Sequence, residues 1–270
     1  MIPDDGALRA LSEKISQARG VCCEAYKEKC LRRRLAVRMR ARGVHTFDEY
    51  SRVLDQDTRE YDLLLDALTI NVTKCYRNPE TWEVLARTNL PPLWHARHGA
   101  LRAWSAGCAS GEEPYTLAVV LAETARTQGQ GPLLAGCRVD ATDVDRVSLE
   151  RTRAAQFPAA SFSEMPPVLA GRYFTPDVPR QPVAELRGLV QVARHDLTRD
   201  PPPFSAYDLI VCRNVVIYFD RPTQERLFAT FARALAPGGL LVLGKVETLF
   251  GPARDELILE DPRERVYRKP

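Results

Sequence analysis

At 270 residues, with 45% hydrophobic and 27% charged side chains, the chain can bury a large core in one or two domains and is neither disordered nor fibrous in composition. No apolar run approaches the ~20 residues that span a bilayer, the start MIPDDGALRA has no apolar signal segment, and a net charge of +3 is too small to name a partner. Seven cysteines, odd in number and without a C-x-x-C pair, argue against a zinc site or a disulfide frame and predict reduced thiols in a cytoplasm.

The first 70 residues read as a helical unit. Between Lys27 and Arg42 stand eight Lys or Arg and a single acid, Glu28. Leu31, Leu35 and Met39 recur every four residues, which predicts a helix with one apolar stripe, stopped by Gly43. Thr46 to Leu68 is helical in pattern and acidic. The basic run is a solvated face balanced by its acidic neighbour, a nucleic-acid surface, or a dock for an acidic protein. It contains no aromatic side chain, which ranks nucleic acid low.

Ile70 to Leu85 reads as a linker entering a helix, with Trp82 and Leu85 facing inward. After Pro91-Pro92 a strand, Leu101–Trp104, stops at the small residues Ser105 to Gly111, and a helix follows from Glu112. Gly107 and Gly111 permit a sharp turn and close ligand approach, and in doubly wound folds the first such turn is the nucleotide crevice. Phosphate-binding turns offer bare N–H groups and often a lysine. This one has no lysine and two acids, Glu112 and Glu113, which suit a ligand with hydroxyls and an amine, such as S-adenosylmethionine. Ala141-Thr142-Asp143 closes the next apolar run and sets an acid where ribose hydroxyls bind; Asp143 could equally cap the helix after it.

The alternation continues with a helix at Asp145–Ala155, a strand at Tyr207–Cys212, a helix at Pro222–Leu235 and a strand at Leu240–Leu243. Leu257–Leu259 and Val266–Tyr267 flank Asp261-Pro262 as a hairpin. Between Phe157 and Phe204 prolines accumulate and the alternation lapses, which predicts an insertion with short strands, among them Leu189–Ala193. The expected fold is therefore α/β, a doubly wound sheet closed by a C-terminal hairpin, with an all-helical N-terminal domain and a small β insertion. The boundaries are 1–70 for the helical domain, 71–95 for a linker contributing to the cofactor site, and 96–270 for the main domain, with the insertion at about 172–197.

Six motifs in order carry a family resemblance: Asn71 to Arg77 (NVTKCYR), Trp104 to Tyr115 (WSAGCASGEEPY), Ala141-Thr142-Asp143, Cys212 to Asp220 (CRNVVIYFD), Pro237-Gly238-Gly239 and Gly244 to Glu247 (GKVE). The chain resembles the chemotaxis receptor methyltransferase family, CheR, over nearly its whole length. It departs at Cys75, where the family usually has phenylalanine, and at Lys245-Val246, inside a motif that is usually Gly-His-Ser-Glu.

The resemblance implies a class I methyltransferase fold and a cytoplasmic, monomeric protein-glutamate O-methyltransferase without a metal. It implies S-adenosylmethionine as donor, S-adenosylhomocysteine as product and receptor glutamates as acceptors. Arg77 and Tyr218 would lie at the reacting centre. Asn71, Thr73, Arg77, Gly107, Glu113, Asp143, Asp196, Leu197, Arg213 and Asn214 would hold the cofactor, with Glu112 as helix cap. Arg34, Arg38 and Arg40 would dock the acidic helical hairpin of a chemoreceptor's cytoplasmic domain. For Tyr218 the plain alternative is packing beside Phe219, and for Arg213 a surface ion pair. The competing functions are a small-molecule or RNA methyltransferase of the same fold and a non-catalytic module that binds the cofactor.

Overall fold

The computed structural model describes residues 5–68 and 73–270, so Asn71 lies outside the described residues. The chain divides into two compact units.

Among the described residues the smaller unit contains the helices α1 (Asp5–Arg19), α2 (Glu28–Ala41), α3 (Phe47–Gln56) and α4 (Glu60–Leu68). In α2 the stripe Leu31, Leu35 and Met39 is buried, as its spacing requires. Thr46 and Glu49 form a reciprocal capping box that starts α3. The single helical stretch expected over Thr46–Leu68 is two helices. Asp57 accepts the Arg59 N–H through its side chain at 3.2 Å, and such a local bond offers the backbone an alternative to helix. Leu11, Ile15, Leu35, Tyr50, Leu54 and Leu64 form the core. Ile217–Gln224 groups with these helices. The Lys27 N–H donates to the Tyr218 carbonyl at 2.9 Å, and Tyr26 meets Phe219 edge to face with ring centroids 5.3 Å apart.

The larger unit is built on a seven-stranded sheet. Its strands are β1 (Arg102–Ala106), β2 (Arg138–Asp143), β3 (Val190–Arg194), β4 (Tyr207–Cys212), β5 (Leu235–Leu243), β6 (Ile258–Asp261) and β7 (Val266–Arg268). Their order is β3-β2-β1-β4-β5-β7-β6. The first five strands run parallel and β7 pairs antiparallel with β5 and β6, so the sheet closes with the expected hairpin. Every residue of β4 is buried, as a central parallel strand covered on both faces demands. Helices α5 (Pro79–Val84), α6 (Leu90–Ala96), α7 (Glu112–Thr127), α8 (Arg146–Ala154), α9 (Pro167–Tyr173), α10 (Ala184–Leu189), α11 (Arg221–Ala234) and α12 (Ala253–Glu256) complete the chain. None among the described residues is long and apolar enough to cross a membrane.

Two expectations need correction. Pro91-Pro92 do not lead directly into a strand; they sit at the start of α6, which follows without a break from a π-helical turn over Leu85–Asn89. The run Leu189–Ala193 is not a strand of a separate insertion: as β3 it pairs with β2 along five residues and forms one edge of the main sheet. Within 157–183 only two isolated bridges occur, Phe157 with Arg180 and Phe174 with Pro182. The prolines there remove the N–H groups a ladder needs.

Candidate functional site

Strand order reverses between β1 and β4, and in open α/β sheets the crevice beyond the carboxyl ends at that point is the ligand site. Two turns border it. The turn after β1 holds Gly107 at φ +86 and Gly111 at φ +102. A Cβ on Gly107 would stand 2.6 Å from Val215 Cγ2, so the close approach of the β4 turn requires glycine there as well as the positive φ. The Gly107 and Cys108 N–H groups both donate to the Thr142 carbonyl, at 2.8 and 2.9 Å, and the Ala109 N–H donates to Asp143 Oδ2 at 2.9 Å. Three successive amides are thus engaged by the end of β2. A phosphate cradle would need them free.

Asp143, the acid at the end of β2, accepts the Asp145 N–H on its other oxygen at 3.0 Å. Burial raises its pKa against these backbone bonds. A carboxylate has about four acceptor positions, so capacity remains for hydroxyls. Asp145, not Asp143, caps α8: its side chain accepts the Val147 N–H. The His195 N–H donates to the Asp143 carbonyl at 2.9 Å, which brings the β3 exit beside it. There Asp196 is buried. Its Oδ1 accepts from Thr198 N and Oγ1 at 2.8 and 2.6 Å, while its buried Oδ2 has no partner. Leu197 is partly buried beside it.

Glu113 stands in the first turn of α7, its carboxylate accepting from the Ser105 hydroxyl of β1 at 2.8 Å. Desolvation pushes its pKa up to about 7, against the pull of Arg213, the Ser105 bond and Arg77. Glu112 is not a cap: Gly111 occupies that position without a side-chain bond. The Glu112 carboxylate is buried and accepts from Ser110 Oγ at 2.7 Å and Ser161 Oγ at 3.0 Å.

Arg213 is buried, so it is no surface ion pair. Its guanidinium lies 5.2 Å from the Trp82 ring centroid and Nη2 donates to Asn78 Oδ1 at 2.9 Å, while Nε is buried without a partner. Burial lowers its pKa and Glu113 opposes that. Arg77 is partly buried; its charge acts on both groups. Its carbonyl accepts from Trp82 Nε1 at 3.0 Å. Asn214 stands at φ +60, and Thr73, before the Arg77 turn, is partly buried. Tyr218 belongs to the smaller unit and Arg77 to the larger.

Arg38 does not present itself to solvent with Arg34 and Arg40. It forks onto Glu60 of α4, Nε to Oε1 at 2.9 Å and Nη2 to Oε2 at 2.8 Å. Arg40 is exposed. Arg34 is partly buried, with Nε unpartnered.

Sequence reasoning assigns no role to Glu247, Trp82 or Asn78. Glu247 Oε2 accepts both the Gly244 N–H at 2.6 Å and the Asn214 N–H at 2.9 Å, joining the turns after β5 and β4. The signal for it is the acid that ends the Gly244 motif.

Four polar features follow the carboxyl ends of β1, β2, β3 and β4: a raised acid in the field of two arginines, an acid at the end of β2, an orphaned carboxylate oxygen at Asp196 and an orphaned Nε at Arg213. They fit a ligand that carries an amine, a carboxylate and hydroxyls together.

A family model described as "CheR methyltransferase, all-alpha domain" matches residues 6–69, and one described as "CheR methyltransferase, SAM binding domain" matches 71–263. A chemotaxis protein methyltransferase of Klebsiella aerogenes is 33% identical, over 93% of this chain and 86% of its own. One from Listeria innocua is 31% identical, over 94% of each. The chain also matches 27% of a 104.1 kDa uncharacterized protein of Rhodobacter capsulatus at 33% identity, so this pair of units occurs within a longer chain. Family models covering both units, and relatives matched along almost their whole length, show that the chain belongs to the CheR family of S-adenosylmethionine-dependent methyltransferases.

Proposed function

We propose that this methyltransferase acts on glutamate side chains of a chemoreceptor's cytoplasmic helical hairpin, forming glutamyl methyl esters, and that it works as a monomer in the cytoplasm. The observation that carries the reading of the crevice is the raised acid Glu113 beside Arg213 and Arg77. That arrangement complements an amino-acid zwitterion, and few other ligands need both signs so close.

When bound, S-adenosylmethionine supplies a methyl group made electrophilic by its sulfonium. Glu113 receives the amine, and a cation there draws the carboxyl into its ionised form. Arg213 and Arg77 receive the carboxylate, with Asn71 and Thr73 at the same end. Asp143 accepts the ribose hydroxyls, and Asp196, Leu197 and Asn214 border the remainder. Gly107 gives the close approach.

The acceptor needs no general base, because a free glutamate, pKa about 4.3, is already ionised at neutral pH. The chemistry the bound group would supply is delivery of that methyl to the acceptor oxygen, the C–S electron pair staying with sulfur. The protein's contribution is alignment and partial dehydration of the acceptor. A role for the Tyr218 hydroxyl in the chemistry rests on the family resemblance alone, and Arg34 and Arg40 are proposed to meet the receptor. Arg38 is assigned instead to holding α2 against α4. The relatives named chemotaxis protein methyltransferase support this acceptor class.

The test is methyl transfer from labelled S-adenosylmethionine to a receptor cytoplasmic fragment, followed by base treatment. Label released as methanol is expected. It should vanish when the fragment's methylatable glutamates are replaced by alanine. Label that resists base, or that enters RNA or small molecules instead, would overturn the acceptor assignment.

A further inference from the structure

The turn after β5 contains Lys245, one of the residues at which this chain departs from the motifs of the family it resembles. Lys245 Nζ lies 3.0 Å from Glu80 Oε2 and 3.3 Å from Glu264 Oε1. Glu80 is in the first turn of α5. Glu264 lies between β6 and β7 and also accepts from the hydroxyl of Thr81, Glu80's neighbour, at 2.5 Å. The Glu264 side chain is only 8% exposed, against 64% for Glu80. An exposed pair such as Lys245–Glu80 holds little by itself. The pair with Glu264 involves a carboxylate taken out of water, where a missing cation is felt most.

The element so tied is the one that orients the crevice's cations. Asn78 precedes α5 in the left-handed region, φ +57, and accepts from Arg213. Trp82 stacks under the same guanidinium and holds the Arg77 carbonyl. Any movement of the first turn of α5 is therefore passed to Arg213 and to the Arg77 turn together. From the other side Glu247 fixes the turn on which Lys245 stands. A lysine suits this bridge because its ammonium has three donors on a long stem and reaches two carboxylates at once. An imidazole has two ring nitrogens and is only partly charged at neutral pH.

We propose that Lys245 is a positioning residue that, by bridging Glu80 and Glu264, fixes the first turn of α5 against the hairpin and holds Arg77 and Arg213 where the cofactor's carboxylate is received. This rests on the reading that the crevice takes S-adenosylmethionine end-on at Glu113 and the two arginines.

The test uses the full chain with Lys245→Met and Lys245→Arg. Amide hydrogen exchange over residues 74–84 reports the tie, and calorimetric titration with S-adenosylhomocysteine reports its effect on the crevice. Lys245→Met is expected to speed exchange in that segment and weaken binding about fivefold, with Lys245→Arg restoring both. A purely structural role would lower the melting temperature and leave affinity unmoved in the folded protein. Wild-type exchange or wild-type affinity in Lys245→Met overturns the proposal. If the wild-type protein fails to bind S-adenosylhomocysteine, the reading of the crevice is wrong and the positioning role falls with it; unchanged exchange would then also refute the tie itself.

Discussion

The fold disfavours the ionised form of Glu113, through desolvation. With its pKa pushed up to about 7, it contributes stability that is complete below the ordinary carboxyl value, near 4.3, and is lost as pH rises through 7. Glu113→Gln should therefore stabilise the ligand-free protein at pH 8 by about 1–3 kcal/mol, and have little effect at pH 4. Differential scanning calorimetry at both values checks this. Binding runs the other way. A cationic amine favours the ionised carboxylate, so wild-type affinity for S-adenosylhomocysteine should rise between pH 6 and 7.5, with proton release visible by titration in buffers of different ionisation enthalpy. Glu113→Gln should abolish that release. The candidate role of Glu113 is legible in the sequence because two acids at a turn without lysine repel phosphate. Its neighbour Glu112 reads as a cap in the sequence, because a Ser161 hydroxyl reaching it from far along the chain leaves no local trace.

At the scale of elements, α2 and α4 are joined by an ionic clamp. Glu60 is fully buried, with 0% exposure, and takes a fork from Arg38 and a hydroxyl from Tyr50 at 2.8 Å. Burial pushes its pKa up, but those bonds outweigh it and the net shift is downward. Breaking a buried pair from one side costs about 3–5 kcal/mol; Arg42, 3.8 Å away, offsets part of this. Arg38→Ala should thus destabilise by about 2–3 kcal/mol, measured by urea denaturation, and Arg38→Ala with Glu60→Leu should recover much of the loss. The periodicity of α2 announces its buried stripe correctly. It does not distinguish a solvated arginine from one whose carboxylate stands on another helix, and so by sequence Arg38 groups with Arg34 and Arg40. The edge strand β3 is hard to assign for a similar reason: a short apolar run states its conformation and not its partner.

For the molecule as a whole, the charge on α2 that remains unspent belongs to Arg40 and its exposed neighbours. Arg34→Glu with Arg40→Glu should raise KM for a receptor fragment up to about tenfold, since exposed pairs contribute ~0–1 kcal/mol each, while affinity for S-adenosylhomocysteine holds. Added salt should weaken the wild type and leave the double variant less affected. Equal receptor kinetics at low salt would return the helix to an ordinary solvated face. The alternation of strands and helices makes the sheet readable in advance, because each β–α unit is local. The pairing of turns across the sheet is not, since it joins residues that only topology brings together. Gly107 and Val215 are such a pair. With no room for one more carbon between them, position 107 can gain a side chain only where position 215 gives one up, and its positive φ resists even that.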